Sequence, residues 1–378
     1  MNKKIKVLEC IRQGQIGGGE SHLLSLVENM DRNRFDPVVL SFTDGPMINR
    51  LKSMNVPCHI IPTLKPFDIS KWKQVKNFMK QEQFDIVHAH GTRANSNVLW
   101  ASRSLNVPVV YTIHGWSFHQ DQNPIVRNIR TWGEAYLTSR SDCNISVSKS
   151  NQESGKAVIK SFDSVVINNG IDQKRFNPAG EFKDIRKELS IPETDILILF
   201  IARFTSHKQP LTLIKAFSAI AAAHPSLKLL LVGEGDQKAE ALELVAKSGL
   251  QNSILFQPFR SDVPDVLAAA DIFVLPSLWE GLPIGLLEAM SMGKAVIASN
   301  VDGSREVVKN EVNGLLIETD KLIENLSAAL LQLSNNKEKR MQLGAGAIAT
   351  VREDFNALTM TRQIEKIYSD LVNKASKK

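Results

Sequence analysis

The stretch ADIFVLPSLWEGLPIGLLEAMSMGKAVIAS, from Ala270 to Ser299, reads as a strand, a loop, a helix and a second strand. Pro283 belongs in the first turn of a helix, where its missing backbone N–H has no cost. The helix is therefore expected to begin near Pro283. Such a strand–helix–strand unit is typical of a parallel α/β sheet.

Two carboxylates bracket this turn, Glu280 before the predicted helix and Glu288 inside it. The helix start favours an anion, and Gly281 allows the backbone to approach one closely. A carboxylate accepts two hydroxyl hydrogen bonds, so Glu288 suits a ribose diol beside a bound phosphate. Glu280 then suits a second polyol. The pattern predicts a sugar-nucleotide site.

Positive charge lies upstream, in the segment ARFTSHKQP that follows the apolar run ILILFI. Arg203 and Lys208 are expected at the carboxyl end of that strand. A guanidinium fork and a lysine suit a diphosphate leaving group, on which negative charge grows as the glycosidic bond breaks. The alternative is a surface loop with two cations.

Apolar runs alternate with helical patterns along the whole chain. The first series is KIKVLEC, FDPVVLSF, FDIVHAH, VPVVYTIHG and CNISVS, and the second is ILILFIARF, LKLLLVGEG, ILFQPF, IFVLP, KAVIAS and GLLIE. Between them SVVINNGIDQKRFNP, rich in Asn, Gly and Pro, is interpreted as a hinge. Two consecutive doubly wound domains are predicted, spanning residues 1–168 and 169–357, with a ligand cleft between them.

The order Arg203, Lys208 and then LFQPFRSDVPDVLAAADIFVLPSLWEGLPIGLLEAMSMGKAVIAS resembles the retaining glycosyltransferases of the GT-B fold, specifically glycosyltransferase family 4 (glycosyl transferases group 1). Both hallmarks of that family occur at the right spacing: an Arg-x4-Lys pair and a Glu-x7-Glu motif after a D-hydrophobic-LPS strand. The resemblance covers nearly the whole chain and is strongest from Ile191 to Leu316. It implies two Rossmann-like α/β domains facing a central cleft, an acceptor-side domain and a donor-binding domain, with a helix at about 358–378 packing back on the first.

The resemblance also implies roles for individual residues. They are diphosphate binding by Arg203 and Lys208, donor-sugar binding by Glu280, ribose binding by Glu288, amide contacts to sugar or phosphate from Gly281 and Leu282, and base placement by Phe259 and Arg260. Two positions depart from the family: Gln209 follows Lys208 where Gly is frequent, and Pro258 stands where Gly is common before the base loop. The fold is expected to tolerate both.

The segment QGQIGGGESHLLSLVENM places a Gly-rich turn between the first strand and a helix. Its glycines fit neither the P-loop spacing nor the dinucleotide G-x-G-x-x-G pattern. The similar family loop faces the donor phosphate, so Gly17, Gly18 and Gly19 are assigned a phosphate- or sugar-facing role. Without the resemblance, a tight turn is the simpler interpretation.

Three histidines close two of the first strands, His88 and His90 in FDIVHAH and His114 in YTIHGW. A zinc site is an alternative, but His-x-His supplies only two ligands and no third is evident. His90 is interpreted as structural or cleft-lining. His114 matches the family's T-x-H position near the reacting sugar, where it could orient a donor hydroxyl without acting as a base; the other reading is a histidine satisfied by the backbone.

The chain lacks an Asp-x-Asp pair, the usual metal holder of the other large glycosyltransferase fold. We therefore expect no metal and no cofactor, with the cationic pair and the helix start doing the electrostatic work. The resemblance implies a same-face, retaining mechanism in which the departing phosphate helps to deprotonate the acceptor. The implied reaction moves a sugar from a nucleoside-diphosphate sugar, UDP by family frequency, to a saccharide or lipid-linked glycan in cell-surface polysaccharide synthesis. The alternatives are a sugar-nucleotide epimerase and a sugar-nucleotide-binding regulator.

Composition points to a cytoplasmic protein: the beginning lacks signal-peptide features, and Cys10, Cys58 and Cys143 are unpaired in spacing. Residues 1–168 carry 21 Lys and Arg against 14 Asp and Glu, a surplus that fits an anionic partner. Nucleic acid is not expected, because no recognition pattern is present.

The segment KPFDISKWKQVKNFMKQEQ combines five lysines with apolar residues at 69, 72, 75 and 79, a near-helical spacing. One interpretation is a surface helix packed on the sheet. The other is a peripheral contact with anionic lipid on the inner membrane face.

Overall fold

The structure, a computed structural model, describes residues 3–14, 17–119 and 122–377. It consists of two compact units. The first comprises Met1–Gly170 and Ala357–Lys378, and the second comprises Ile171–Asn356. The predicted pair of parallel-sheet α/β domains is confirmed, since each unit is built on one sheet whose paired strands all run parallel.

The sheet of the first unit has, among the described residues, the strand order β3-β2-β1-β4-β5-β6-β7. Its strands are β1 (Ile5–Ile11), β2 (Phe35–Ser41), β3 (Cys58–Ile60), β4 (Ile86–His90), β5 (Val109–Ile113), β6 (Cys143–Ser146) and β7 (Val165–Val166). The short edge strands β3 and β7 were not predicted, because two or three residues give no periodic pattern. β7 falls in the segment interpreted as a hinge, and the boundary between the units follows at Gly170.

Helices cover both faces of this sheet. They are α1 (Gly18–Asn29), α2 (Pro46–Ser53), α3 (Ile69–Glu82), α4 (Thr92–Ser104), α5 (Pro124–Arg140), α6 (Lys149–Val158) and α15 (Ala357–Ala375). Strand residues alternate between the two faces. Val7 packs with Leu26 of α1 and Ile364 of α15, whereas Leu8 packs on the other face with Val75 of α3 and Val98 of α4.

The second unit repeats the plan with the order β10-β9-β8-β11-β12-β13. Its strands are β8 (Ile196–Ile201), β9 (Leu227–Val232), β10 (Ile254–Gln257), β11 (Ile272–Leu275), β12 (Ala295–Ser299) and β13 (Leu315–Ile317). Its helices are α7 (Ile185–Glu188), α8 (Pro210–Ala221), α9 (Lys238–Ser248), α10 (Val263–Ala269), α11 (Ile284–Ser291), α12 (Asp302–Val307), α13 (Leu322–Ser334) and α14 (Lys337–Asp354), with a 3-10 turn at Ser206–Lys208.

Strand order reverses once in each sheet, between β1 and β4 in the first unit and between β8 and β11 in the second. In open α/β sheets, ligands bind beyond the carboxyl ends of the strands at such a reversal. The loops that follow β1, β4, β8 and β11 are therefore the places to look for function.

The predicted lysine-rich helix exists as α3, but the two later positions of its apolar face are not available to lipid. Val75 and Met79 are fully buried in the core, and Trp72 is partly covered, leaving Ile69 exposed at the beginning. The surface-helix interpretation is therefore correct for this segment. No helix among the described residues combines the length and apolarity needed to cross a bilayer.

Candidate active site

The turn between β11 and α11 has the predicted form. Pro283 occupies the N-cap position of α11, Glu280 lies in the preceding loop, and Glu288 lies within the helix. No described side chain caps α11, so its first amides are left for an anion. Gly303 of α12 packs against this turn so closely that a Cβ on it would lie 2.1 Å from the carbonyl oxygen of Gly281.

Lys208 and Glu280 form an ion pair at the carboxyl ends of β8 and β11. Lys208 Nζ donates to Glu280 Oε1, and the side chains are only 16% and 9% exposed. A carboxylate accepts more than one hydrogen bond, so Glu280 can hold Lys208 and a sugar hydroxyl together. Two residues 72 positions apart, selected from the sequence as one site, thus come into contact.

Neighbouring contacts hold these two loops together. The rings of His207 and Trp279 stack at 4.1 Å between centroids with an interplanar angle of 10°. The backbone N–H of Leu278 donates to the carbonyl oxygen of His207 at 2.8 Å. Ordering of both loops before a ligand arrives reduces the entropy that binding must offset.

Gln209 explains one departure from the family pattern. Its backbone adopts the left-handed conformation with φ 57°, at the N-terminus of α8, where glycine has no steric cost. The Gln209 side chain stabilises the turn by donating from Nε2 to the carbonyl oxygen of Ser206. It also accepts a hydrogen bond from the hydroxyl of Thr212. The fold tolerates glutamine here, as expected.

Glu288 has a strongly perturbed carboxyl group. Desolvation by burial raises its pKa to about 7, although the residue as a whole is partly exposed, and the nearby positive charge of Arg175 opposes this rise. Raised carboxyl pKa values of this kind cluster at functional sites. A ligand that donates hydrogen bonds to this carboxylate would relieve the desolvation.

The remaining donor-side candidates differ in availability. Arg203 is exposed beyond the end of β8. The ring of Phe259 is 39% exposed. Arg260, in contrast, is held by its neighbours, since its guanidinium donates to both oxygens of Glu188 and both oxygens of Asp262. Of the two residues predicted for the base, the Phe259 ring is therefore the more accessible.

In the first unit, the Gly-rich turn lies against His114. Gly17 caps α1, and Gly18 and Gly19 form its first turn. A Cβ on Gly19 would lie 3.4 Å from Cδ2 of His114, which is the near edge of ordinary van der Waals contact, so position 19 adjoins the ring. The predicted glycine turn and the predicted histidine thus belong to one site.

A buried hydrogen-bond chain leads to His114. Glu9 Oε2 lies 2.9 Å from His90 Nε2, and His90 Nδ1 lies 3.1 Å from His114 Nε2. Burial opposes ionisation of Glu9, but its contacts with His88 and His90 hold its pKa well below the usual range. Burial lowers the pKa of His90 to about 4 and that of His114 well below its usual value, so both rings are neutral at pH 7.

The protonation states of Glu9, His90 and His114 fix the tautomers of the two histidines in this hydrogen-bond chain. An ionised Glu9 accepts from His90 Nε2–H, which leaves Nδ1 of the neutral His90 ring as an acceptor. His114 Nε2–H then donates to it, and His114 presents an unprotonated Nδ1. Such a nitrogen can accept a hydrogen bond from a hydroxyl, which is the orienting role that the sequence suggested for His114.

His88 completes the network on the other side of Glu9. The hydroxyl of Tyr368, on α15, donates to Glu9 Oε1 at 2.7 Å, so His88 Nδ1–H donates to the Tyr368 oxygen. His88 Nε2 then accepts from Thr112 Oγ1 at 2.7 Å. Both nitrogens of His88 are occupied, which is the behaviour of a structural histidine.

Glu9, His22 and Tyr368 were missed at the sequence level. His22 lies on α1 three residues after Gly19, and its ring contacts those of His90 and His114. The sequence did hold a signal for these contacts. Polar residues occur at every second position of neighbouring strands, Glu9 in one and His88 and His90 in the other, and such residues lie on one face of the sheet. The sequence showed no third ligand for His88 and His90, but the structure brings Glu9 next to both of them, and His22 and His114 next to His90.

Two protein-family models match the chain, one mainly in each of the two units. Residues 181–350 match the family described as glycosyl transferases group 1. Residues 16–175 match the family described as glycosyltransferase family 4. The two matches together span most of the chain.

Individual relatives extend over almost the full length. The Escherichia coli UDP-Gal:alpha-D-GlcNAc-diphosphoundecaprenol alpha-1,3-galactosyltransferase is 28% identical and covers 98% of either chain. The Bacillus anthracis N-acetyl-alpha-D-glucosaminyl L-malate synthase is 26% identical over 81% of this chain and 80% of its own. The crystal structure of Anabaena Alr3699/HepE in complex with UDP and glucose has a TM-score of 0.84 at 22% identity, covering 97% of this chain and all of the other.

Proposed function

Because the chain belongs to the family 4-like glycosyltransferases of the GT-B fold, we propose that it transfers a sugar from a UDP-sugar to a hydroxyl of a saccharide or lipid-linked glycan, with retention of anomeric configuration. The observation that carries this proposal is the Lys208–Glu280 pair beside the uncapped start of α11. It sets a cation for phosphate next to a carboxylate for sugar hydroxyls. The E. coli relative, named for a UDP-Gal donor, supports UDP as the nucleotide.

Electrostatic stabilisation of the departing diphosphate is the main catalytic contribution in this proposal. Arg203, Lys208 and the first amides of α11 face the oxygens on which negative charge develops. Glu280 holds the donor sugar with Gly281 and Leu282, while Glu288 and Phe259 hold the nucleoside. His114 Nδ1 orients a donor hydroxyl. The leaving phosphate takes the acceptor proton on the same face of the sugar, which gives retention.

A donor and acceptor assay tests the proposal. Purified protein is incubated with UDP-glucose, UDP-galactose or UDP-N-acetylglucosamine and with diphosphate–lipid-linked N-acetylglucosamine, the acceptor type that the E. coli relative's name describes. We expect one donor to give UDP and a glycosylated lipid whose new bond has the donor's anomeric configuration by NMR. An inverted product would refute retention. Epimerised donor without transfer would refute the transferase itself.

Metal removal is expected to leave transfer unchanged. Arg203, Lys208 and the helix start supply the charge that Mg²⁺ supplies in metal-dependent transferases. The initial rate of transfer is measured after dialysis against EDTA and with EDTA present in excess. A loss of rate that Mg²⁺ or Mn²⁺ restores would show that an ion shares the diphosphate.

For a lipid-linked acceptor, we propose a peripheral contact between the first unit and anionic membrane at the cytoplasmic face. We assign the contact to α5, because the core buries Val75 and Met79 of the apolar face of α3. One stripe of exposed apolar side chains runs along α5. It consists of Ile125 (70% exposed), Ile129 (65%), Trp132 (72%) and Tyr136 (44%). Apolar side chains at this spacing on a soluble surface mark an interaction site.

A second exposed group lies beside this stripe. The ring of Phe67 contacts that of Tyr136 at 6.4 Å between centroids and lies next to Gly133. Leu64, three residues before it, is 89% exposed, and Lys65 adds positive charge. Apolar residues flanked by basic ones are the composition that binds anionic lipid surfaces.

Vesicle sedimentation checks this surface. We expect the wild-type protein to pellet with anionic but not with zwitterionic vesicles at low salt, and Ile129→Ser/Trp132→Ser to stay in solution. Leu242→Ser, which removes an apolar side chain 47% exposed on α9 of the other unit, is the matched control. Equal binding of the double variant and the wild type would rule out the α5 stripe.

A further inference from the structure

Three histidine rings meet in the first unit: His22 on α1, His90 at the end of β4 and His114 after β5. Their centroids are 5.4 Å apart for His22–His90, 4.8 Å for His22–His114 and 5.4 Å for His90–His114. One nitrogen from each ring lies within 4.8 Å of the others. We propose that this histidine trio binds one divalent transition-metal ion of the Zn²⁺ class, and that the ion withdraws His114 from transfer.

The donor atoms follow from the hydrogen bonds. His22 Nδ1 is bonded to Asn169, whereas the buried His22 Nε2 has no hydrogen-bond partner among the described residues. His90 Nδ1 and His114 Nε2 are 3.1 Å apart. Zinc–nitrogen bonds of about 2.0–2.1 Å place tetrahedral ligand nitrogens about 3.3 Å apart, so this pair already stands at ligand spacing. In the hydrogen bond these two nitrogens point at each other, so both rings have to turn toward the ion while His22 approaches.

Outer partners suited to a metal site are already in place. Ligating histidines donate their other N–H to a carboxylate or amide oxygen, which fixes the tautomer and the ring orientation. His90 does so through Nε2 to Glu9 at 2.9 Å, and His22 through Nδ1 to the Oδ1 of Asn169 at 2.9 Å. Two of the three ligands, His90 through Nδ1 and His22 through Nε2, thus present a lone pair to the centre of the trio.

The neighbouring group of Glu9, His88 and His90 is a weaker candidate, although its donor atoms are equally close. His88 uses both nitrogens, on Tyr368 and Thr112, and Glu9 accepts from Tyr368 and His90. A metal there would have to break several buried hydrogen bonds. The trio loses only the bond between His90 and His114.

Metal binding needs no net loss of protons from the three rings. The His114 proton moves from Nε2 to Nδ1, and each neutral imidazole then gives one lone pair to the ion. Three imidazoles select Zn²⁺, Co²⁺, Ni²⁺ or Cu²⁺ over Mg²⁺ and Ca²⁺, which prefer oxygen. The fourth position is left for water, as in other three-histidine sites.

The inhibitory part rests on the proposed function, because it requires His114 to act in transfer. With Nε2 on the metal and the proton on Nδ1, His114 no longer presents an acceptor nitrogen to a hydroxyl. Transfer in EDTA is then at its full rate, and added Zn²⁺ slows it. The binding part is independent of any donor or acceptor.

Binding is tested on the untagged full-length protein without substrates. Co²⁺ is titrated in and followed by its visible absorption, and Zn²⁺ is titrated against a chromophoric chelator. We expect one ion per chain with the absorption of a four-coordinate site. His22→Gln removes a ligand and is expected to abolish that absorption. Glu9→Gln keeps all three ligands and is expected to weaken affinity by about 10–100-fold, as loss of an outer partner does.

His224→Gln, at a partly exposed histidine of the second unit, is the control for histidine loss and should bind like the wild type. Circular dichroism and thermal melting establish that each variant is folded. The site is refuted if folded wild-type protein leaves Zn²⁺ on the chelator, or if His22→Gln binds Co²⁺ as the wild type does. The two variants differ in ligand count, two histidines in His22→Gln and three in Glu9→Gln, so the test remains decisive if one of them fails to fold.

The inhibitory part is measured separately as the rate of transfer against free Zn²⁺, with recovery in EDTA. We expect inhibition at the concentrations that fill the site in the Co²⁺ and Zn²⁺ titrations. Unchanged transfer with the site filled would refute inhibition. Absence of transfer both in EDTA and with added Mg²⁺ or Mn²⁺ would count against the proposed function, and the binding result would stand.

Discussion

Glu280→Ala and Lys208→Ala are each expected to lower kcat for sugar transfer by about 10²–10³, the usual cost of removing one preorganised charged or polar stabiliser. Glu280 would hold the donor sugar, and Lys208 would neutralise the diphosphate as it leaves. Because both interactions strengthen as the bond breaks, kcat should fall more than KM rises. Wild-type turnover in folded Glu280→Ala would overturn the site.

The ion pair between Lys208 and Glu280 also affects folding stability, which the sequence did not reveal. Each single variant leaves its partner's charge in a largely covered position, which costs about 1–3 kcal/mol of folding stability. The double variant Lys208→Ala/Glu280→Ala removes both charges. It should recover part of the lost folding stability without recovering activity. Lys247→Ala, which breaks an exposed ion pair with Glu243 in the same unit, is the matched control and should change neither property.

Glu288→Gln is expected to stabilise the protein at alkaline pH and to weaken nucleotide binding. The pKa of Glu288 is about 7 in the folded protein, above the ordinary 4.5 of the unfolded chain. Between these values the unfolded chain gives up its proton first, so the stability of the wild type falls as the pH rises from about 4.5 to 7. The fall amounts to about 3 kcal/mol and is complete above pH 7.

The measurement is the free energy of unfolding of wild type and Glu288→Gln at pH 4 and pH 8. The two proteins should agree at pH 4, where the carboxyl is protonated in both states, and the variant should be the more stable at pH 8. Glu193→Gln, at an exposed loop position of the same unit, serves as the control. A variant less stable than the wild type at pH 8 would contradict the desolvated carboxylate.

The same pKa predicts a pH dependence of UDP binding. Ribose hydroxyls donate to the ionised carboxylate, so wild-type affinity should rise as the pH increases through 7. The Glu288→Gln affinity should be lower at pH 8 and should show only the smaller rise that comes from ionisation of the terminal phosphate of UDP. Calorimetry with UDP at pH 6 and pH 8 distinguishes the two. Parallel curves for both proteins would remove Glu288 from the ribose site.

Local patterns predicted most of the sheet architecture because each long strand is an apolar run bounded by turn residues. The position of Glu280 before α11 and of Glu288 within it also followed from a local rule, the preference of Pro283 for a helix start. The buried network of the first unit is different. Glu9, His90 and Tyr368 are distant in sequence, and no local pattern shows which of them meet.

The sequence also did not show whether a side chain is free to contact a ligand or is already held by neighbours. Arg260 matched a family position, yet its guanidinium is taken by Glu188 and Asp262, one of them 72 residues away. The α3 segment showed apolar and basic periodicity, but periodicity gives a helix face without saying what covers it. The core covers Val75 and Met79, and the exposed stripe belongs to α5.

Tyr368 has a consequence for the time course of synthesis. Its hydroxyl supports Glu9, and α15 closes one face of a sheet whose other parts lie before Gly170. A ribosome makes all of Ile171–Asn356 before it reaches that helix. The second unit can therefore fold while translation continues. The first unit, although begun earlier, has to wait with part of one apolar sheet face uncovered. Nascent chains stalled before Ala357 are expected to be the form that chaperones hold and proteases cut in the first unit.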